Sequence, residues 1–206
     1  YMNYKNQLVL TGALDDVGQP VRATSGNSYR FGLEIDADIT LSDKFSIKPN
    51  AAFSTNKNKN FFITRNGIKE PESLGNTDLS FSPNVIVGNM FIYQPLEKLQ
   101  ISFLSKYVGK QFMSNFSSAI SKNDVLDSYF TSDFNVVYEL KSNKIFKSVV
   151  FSALVNNIFN KEYVDRGYYY TYDDTWSVAN QTTTVDGAGY YPQATRNFLA
   201  GVTLKF

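Results

Sequence analysis

Tyr29-Arg30-Phe31-Gly32-Leu33-Glu34-Ile35-Asp36-Ala37-Asp38-Ile39-Thr40-Leu41 alternates without a break: odd positions are apolar, and even positions are charged, threonine or glycine. Successive side chains of a β-strand leave opposite faces, so this stretch is predicted to be one ribbon with a greasy side and a charged side. It exceeds the roughly five or six residues of an ordinary strand and is long enough to cross a bilayer at a tilt, which takes about 9–11 residues. The fold therefore turns on which solvent meets the greasy side.

The same pattern extends in both directions. Upstream, Met2, Tyr4, Leu8 and Leu10 are expected to share a face opposite Asn3, Lys5 and Gln7, and a polar connection follows over 12–27. Downstream, after Ser42-Asp43-Lys44, the apolar residues Phe45, Ile47, Pro49, Ala51 and Phe53 again fall on odd numbers. Residues facing each other across that turn must then sum to an even number, which a three-residue loop satisfies and a two-residue loop does not. Leu41 is predicted to face Phe45, and Asp38 to face Lys48 as a cross-strand ion pair. Further strands are expected over 79–93, 99–107, 130–140, 149–155 and 198–206, with Pro49 and Pro83 weakening the ladder locally. The connections alternate between long (12–27, 57–78, 113–126, 161–195) and short (42–44, 94–98, 141–147). Eight antiparallel strands joined in this way have the asymmetry of a transmembrane barrel, with short periplasmic turns and long outer loops.

Composition bounds the function. The 206 residues carry 20 Lys+Arg against 19 Asp+Glu, so charge gives no argument for nucleic acid as a partner. With 17 Phe and 14 Tyr and no sustained spacing of apolar residues at three and four, strands are favoured over helices. The absence of Cys and His removes disulfides, thiol chemistry, the commonest general base and the commonest metal ligand. The chain opens on Tyr1 within what already reads as a strand, and it is expected to be a segment or processed product of something longer.

Periodicity alone leaves open a soluble lipocalin-like barrel that carries apolar ligands, with the greasy face inward. Three features favour lipid outside. The opposite face is mainly serine, threonine, asparagine and glycine, where a soluble exterior carries more lysine and glutamate. Aromatics gather at two levels, Tyr29, Phe53, Phe112 and Phe130 at one and Phe45, Tyr93, Tyr138 and Phe206 at the other, as two membrane interfaces require. The last strand ends on Phe206, a member of its outward set. Arg30, Glu34, Asp36, Asp38, Lys48 and Lys106 then face the lumen, where they meet water or each other; on a lipid face each would cost about 2–4 kcal/mol at mid-depth.

Leu154-Val155-Asn156-Asn157-Ile158-Phe159-Asn160-Lys161-Glu162-Tyr163 resembles the "NNLF-(D/N)-K-x-Y" motif in the penultimate strand of TonB-dependent outer-membrane receptors. Tyr191-Pro192-Gln193-Ala194-Thr195-Arg196-Asn197-Phe198-Leu199-Ala200-Gly201-Val202-Thr203-Leu204-Lys205-Phe206 is similar to the last strand of that family. Tyr4 to Gly12 looks like an upward strand of such receptors in the style of Bacteroidota sequences. The resemblance implies that residues 1–206 are the C-terminal segment of an outer-membrane barrel of about 22 strands, with the plug domain and earlier strands lying outside it. It further implies a location in the bacterial outer membrane and contact with outer-membrane lipid. Transport would be driven by the TonB complex acting through the absent N-terminal region, and a surface lipoprotein is a possible partner. The ligand class it implies is a small molecule or glycan, an iron-siderophore before others.

Catalysis is not expected. Without histidine there is no serine–histidine or aspartate–histidine pair, and Asp15-Asp16 and Asp173-Asp174 read as solvated loop acids. No cofactor or metal is expected; a calcium site from Asp173, Asp174 and Asp186 is weighed and lacks EF-hand spacing. Gly187-Ala188-Gly189 reads as loop flexibility. The one promising cluster is Tyr168, Tyr169, Tyr170, Tyr172, Trp176, Tyr190 and Tyr191 in the last long connection, whose rings either stack on a ligand or pack together to order the loop. A complete eight-stranded barrel with a structural or adhesive role remains the rival, and pairing of the first strand with the last would reveal it.

Overall fold

The computed structural model describes residues 1–14, 17–63, 71–141 and 145–206, with side chains except at 11–14, 20 and 25. Its strands are β1 (Met2–Leu14), β2 (Pro20–Asp36), β3 (Ile39–Ser42), β4 (Phe45–Ile63), β5 (Glu72–Asp78), β6 (Val85–Leu96), β7 (Leu99–Val108), β8 (Gln111–Phe112), β9 (Val125–Leu126), β10 (Tyr129–Lys141), β11 (Ser148–Asn156), β12 (Val164–Asp174), β13 (Thr183–Pro192) and β14 (Asn197–Lys205). A 3-10 turn, Lys122–Asp124, precedes β9. The main sheet runs β1-β2-β4-β6-β7-β10-β11-β14, the eight antiparallel strands that the alternation predicts, with β3 and β5 also paired to β4. β1 and β14 are its two edges and are not paired with each other among the described residues.

The apolar positions line up in rows across the sheet. Ile47 lies opposite Phe91, Phe91 opposite Phe103, Phe103 opposite Phe134, and Phe134 opposite Val155. This face stays open: Phe31, Leu33 and Ile35 are 59, 60 and 51% exposed, which a soluble barrel with an inward apolar face does not allow. The long loops pack against the polar face, where Asn58 of β4 donates to Asn115 Oδ1.

The central ribbon is interrupted at Ala37-Asp38, contrary to the unbroken strand its pattern predicts. The cause lies across the ladder. Ala37 N donates to Pro49 O at 3.1 Å, but proline has no N–H to return the second bond of the pair. Asp38 still reaches Lys48, as predicted, at 2.5 Å. The turn differs in detail: Ser42, not Leu41, faces Phe45, and only Asp43 and Lys44 form the loop. A register shift between Thr40 and Ser42 restores the even sum, so Ile39 faces Ile47 and Leu33 faces Phe53.

Four other expectations are corrected. In β1, Asn6 sits at φ 55° and interrupts the ladder; Met2 and Tyr4 lie opposite Arg30 and Ser28 on the polar face, and Val9 is buried while Leu8 is exposed. Residues 79–84 leave the ladder and turn at Ser80-Phe81, with Phe81 at φ 49° and Leu79 buried. Phe112 belongs to β8, outside the main sheet, so it is no part of the upper aromatic belt. The long connections are largely hairpins: β1 and β2 pair up to Leu14 and Pro20, β4 continues to Ile63 against β5, and β12 pairs with β13. Asp15-Asp16 lies outside the described residues.

The buried apolar cluster sits among these extensions and not in the wall. Val9 of β1, Phe61 and Ile63 of β4, Met113 and Phe116, Leu126 of β9 and Tyr169 of β12 pack together. Polar residues fold the 113–124 segment into place. Asp124, fully buried, accepts from Ser114 Oγ at 2.6 Å, Ser118 Oγ at 2.7 Å and Ser118 N at 3.1 Å. Asn115 donates to Leu10 O at 3.1 Å and accepts from Ser80 N, tying that segment to β1. Because Phe116 fills the centre of this cluster, Phe116→Ala is expected to destabilise it by about 3–5 kcal/mol. Hydrogen exchange should then speed up at Met113, Leu126 and Tyr169 while the Phe91, Phe103 and Phe134 row keeps its protection; loss of both together would show that the cluster and the wall are one cooperative unit.

Candidate functional site

The seven aromatics singled out in the sequence all lie on or at the tip of the β12–β13 hairpin, and the hairpin's own alternation divides them. Tyr168 and Tyr170 face Gly189 and Gly187 across the ladder. A Cβ on either glycine would collide with the tyrosine ring, so the two rings lie over bare backbone. Gly187 and Gly189 are therefore strand residues whose missing side chains seat tyrosines, and the loop-flexibility reading is wrong for them. Tyr168 stacks with Tyr170, centroids 6.3 Å apart and planes 18° apart, and Tyr191 lies 6.1 Å from Tyr168. At the tip, Tyr172 and Trp176 are parallel at 6.0 Å, and Trp176 is 71% exposed.

The opposite face docks the hairpin. Tyr169, 9% exposed, packs edge-on against Phe116 at 6.1 Å. Tyr190 OH donates to Asn123 O at 2.9 Å, and Asn123 Nδ2 donates to Asp186 Oδ2 at 3.0 Å. Gly167 lets Met113 approach the backbone of β12. The predicted cluster is thus two sets: Tyr169 and Tyr190 hold the hairpin down, while Tyr168, Tyr170, Tyr172, Tyr191 and Trp176 present ring faces on the other side.

The carboxylates are occupied locally. Asp173 accepts from Thr184 Oγ1 at 2.9 Å, and Asp174 accepts from Ser177 N and Trp176 N; hydrogen bonding from the Ser177 side chain first, then from the Ser177 and Trp176 N–H groups, holds its carboxyl below the usual aspartate range. Among the described residues no group of three His, Cys, Asp or Glu could hold a metal ion, so Asp173, Asp174 and Asp186 do not form the calcium site weighed above.

The predicted lumen-facing charges lie along the polar face. Arg30 Nη1 donates to Ser82 Oγ at 3.3 Å and to Asn56 Oδ1 at 3.5 Å. Lys48 and Asp38 pair while remaining well exposed. Glu34 and Asp36 lie opposite Ala52 and Asn50, and Lys106 lies opposite Gly88, over which the Asn50 amide sits. Sequence reasoning missed Asn58, Met113, Asn115, Phe116, Asn123 and Asp124. Their segment is folded by side-chain-to-backbone bonds with no period, and a run such as Ser114-Asn115-Phe116-Ser117-Ser118 signals only that such bonds are available.

No protein-family model matches the chain, and no curated protein matches it. Solved structures do. The siderophore receptor PiuA from Acinetobacter baumannii is similar over 97% of this chain and 24% of its own, at 17% identity and a TM-score of 0.66. The copper transporter OprC is similar over 99% of this chain and 27% of its own, at 16% identity and a TM-score of 0.63. The ferric-catecholate import receptor Fiu from E. coli K12 is similar over 99% of this chain and 24% of its own, at 15% identity and a TM-score of 0.61. The chain spans about a quarter of the length of these structures and shares the antiparallel barrel fold of their matching portions. All three are named as receptors or transporters and none as an enzyme.

Tyr169 supplies a prediction. Its hydroxyl is buried without a hydrogen-bond partner among the described residues, and burial, reinforced by Asp186 and Asp124, pushes its pKa up. Tyr169→Phe keeps the ring and removes the orphaned hydroxyl, so stability is expected to rise by about 1 kcal/mol. A folded-state pKa above the unfolded value means that the wild type holds its docking energy below about pH 10 and loses it as pH climbs further. Denaturant titrations of both proteins from pH 8 upward should show the wild type weakening more steeply than the variant; parallel curves would count against this account.

Proposed function

We propose that this chain is the C-terminal wall and outer mouth of a TonB-dependent receptor in a bacterial outer membrane, a transporter that captures a scarce small ligand such as an iron-siderophore. The observation that carries this reading is the continuous apolar face on one side of eight strands, set against a polar face roofed by folded hairpins. Only a wall between lipid and a wet lumen uses both. The receptor and transporter names of the similar structures support the same reading.

In this reading residues 1–206 contribute the lumen lining, with Arg30, Glu34, Asp36, Asp38, Lys48 and Lys106, and part of the capture surface. The plug and the segment that engages the TonB complex lie elsewhere in the full protein. The rings of Tyr168, Tyr170, Tyr172, Tyr191 and Trp176 take a flat ligand face, and the catecholate groups of an iron chelate fit that chemistry. A glycan, whose sugar rings also stack on aromatics, is the second arm of the test.

Two outcomes are expected. Leu33→Arg places a cation against lipid and should cost about 2–4 kcal/mol of stability in vesicles, whereas Glu34→Gln on the other face should change little. Tyr168→Ala with Tyr170→Ala should weaken binding of a ferric catecholate to the full-length receptor by about tenfold, read by isothermal titration, with the fold intact by circular dichroism. Equal tolerance of Leu33→Arg and Glu34→Gln would overturn the membrane reading; unchanged catecholate affinity, with a glycan bound instead, would reassign the ligand.

A further inference from the structure

Between the β1–β2 hairpin and the loops that pack on the polar face lies a cavity of about 150 Å³, lined by Gln7, Val9, Arg22, Arg30, Leu79 and Ser80. Arg22 and Arg30 sit at even positions of β2, the set that includes Glu34 and Asp36. The Arg30 guanidinium is held at the 80–82 turn: its Nη1 donates to Ser82 Oγ, which in turn donates to Ser80 O at 3.1 Å. Arg22 stands opposite Leu10, whose carbonyl accepts from Asn115 Nδ2. Val9 and Leu79 are buried and give the cavity an apolar floor.

The polar groups around this cavity are unbalanced. Its side-chain amide acceptors are already used: Gln7 Oε1 accepts from Ser28 Oγ at 2.5 Å, and Asn115 Oδ1 accepts from Ser80 N at 3.1 Å and Asn58 Nδ2 at 3.3 Å. The donors are left over. Gln7 Nε2 and the Arg22 guanidinium have no hydrogen-bond partner among the described residues, and Arg30 has only two long bonds to neutral oxygens, at 3.3 and 3.5 Å. Among the described residues no carboxylate lines the cavity, and Asp78, just before the turn, is taken by Lys57 Nζ at 2.6 Å and by Ser117 Oγ. Two cations without an anion, beside spare neutral donors, make a site for an acceptor that carries negative charge. The cavity is smaller than the about 300–1,000 Å³ of ordinary ligand sites, so it admits one ionic group and not a whole ligand.

We propose that this cavity binds the oxyanion end of a small-molecule ligand, a carboxylate or a phosphate, with Arg22 and Arg30 supplying the charge and Gln7 Nε2 and Ser80 Oγ further hydrogen bonds. The proposal rests on the transport reading above for where the ligand comes from, and not for what the cavity recognises. A guanidinium presents parallel N–H donors that match either oxyanion, and the apolar floor lowers the local dielectric and so strengthens them. The rings of Tyr168 and Tyr170 offer stacking, while this cavity offers charge and has no ring in its lining, so the two address different parts of a ligand.

The test uses the full-length protein in dodecyl maltoside at low ionic strength, titrated calorimetrically with inorganic phosphate and with succinate. The wild type should bind one or both, and the preference assigns the group as phosphate or carboxylate. Arg22→Gln and Arg30→Gln should each weaken that binding about tenfold, and Gln7→Glu, which sets a carboxylate in the cavity, should abolish it. Arg30→Lys should retain only part of it, since an ammonium keeps the charge without the fork. Tyr168→Ala with Tyr170→Ala should leave it unchanged. The proposal is overturned if the wild type binds neither probe, or if Arg22→Gln and Arg30→Gln, folded by circular dichroism, bind as the wild type does. Anion binding by a protein that imports no ligand in cells would instead strike at the transport reading.

Discussion

The structure depends on one constraint: backbone N–H and C=O groups that face no water must be paired along the ladder. Eight strands meet it from neighbour to neighbour, and every side chain's solvent follows from the resulting register. A one-residue slip would carry Phe31, Leu33 and Ile35 to the face that Glu34 and Asp36 occupy. The irregularities are therefore placed where they preserve parity. The shift between Thr40 and Ser42 absorbs the odd residue left by a two-residue turn, and the missing Pro49 N–H costs a single bond beside a bond that remains.

A wall of this kind needs no interior of its own. In the membrane reading proposed above, with lipid on one side and water on the other, its apolar side chains are satisfied outside the protein, which accounts for their exposure here and for the buried apolar cluster lying elsewhere. The segments that rise beyond the wall meet water on all sides, and they behave like a small soluble protein. They bury Phe61, Met113, Phe116 and Leu126 and satisfy Asn115 and Asp124 with hydrogen bonds. One chain thus follows two burial rules, and the change from one to the other occurs along single continuous strands such as β4, whose lower part carries Ile47 and Phe53 and whose upper part carries Phe61 and Ile63.

The division explains what could be read in advance. Alternation is a local signal, so the eight strands, the Asp38–Lys48 pair and the identity of the open face were legible from residue types alone. The loop cluster was not, because its contacts join residues as distant as Leu10 and Asn115 through single side-chain bonds that leave no period behind. Phe112 misled because aromatic content alone does not say whether a ring meets a membrane interface or a loop. Residues 79–84 misled because Leu79, Phe81 and Pro83 keep the parity of a strand while Phe81 adopts a left-handed turn.

The β12–β13 hairpin shows that the rule governing the wall also organises the site. Reading Tyr168 to Tyr172 as loop composition treats the tyrosines as one pool; reading them as a strand assigns each a side. Tyr169 then belongs with Ala188, Asp186 and Tyr190, toward Phe116 and Asn123, while Tyr168 and Tyr170 belong with Gly189 and Gly187. The glycines follow from the same geometry, since a ring can lie flat across a ladder only where its cross-strand partner has no Cβ. Packing and presentation are therefore not competing uses of this aromatic cluster. The rings turned inward hold the hairpin still, and a rigid hairpin gives the rings turned outward the fixed plane that the proposed stacking requires.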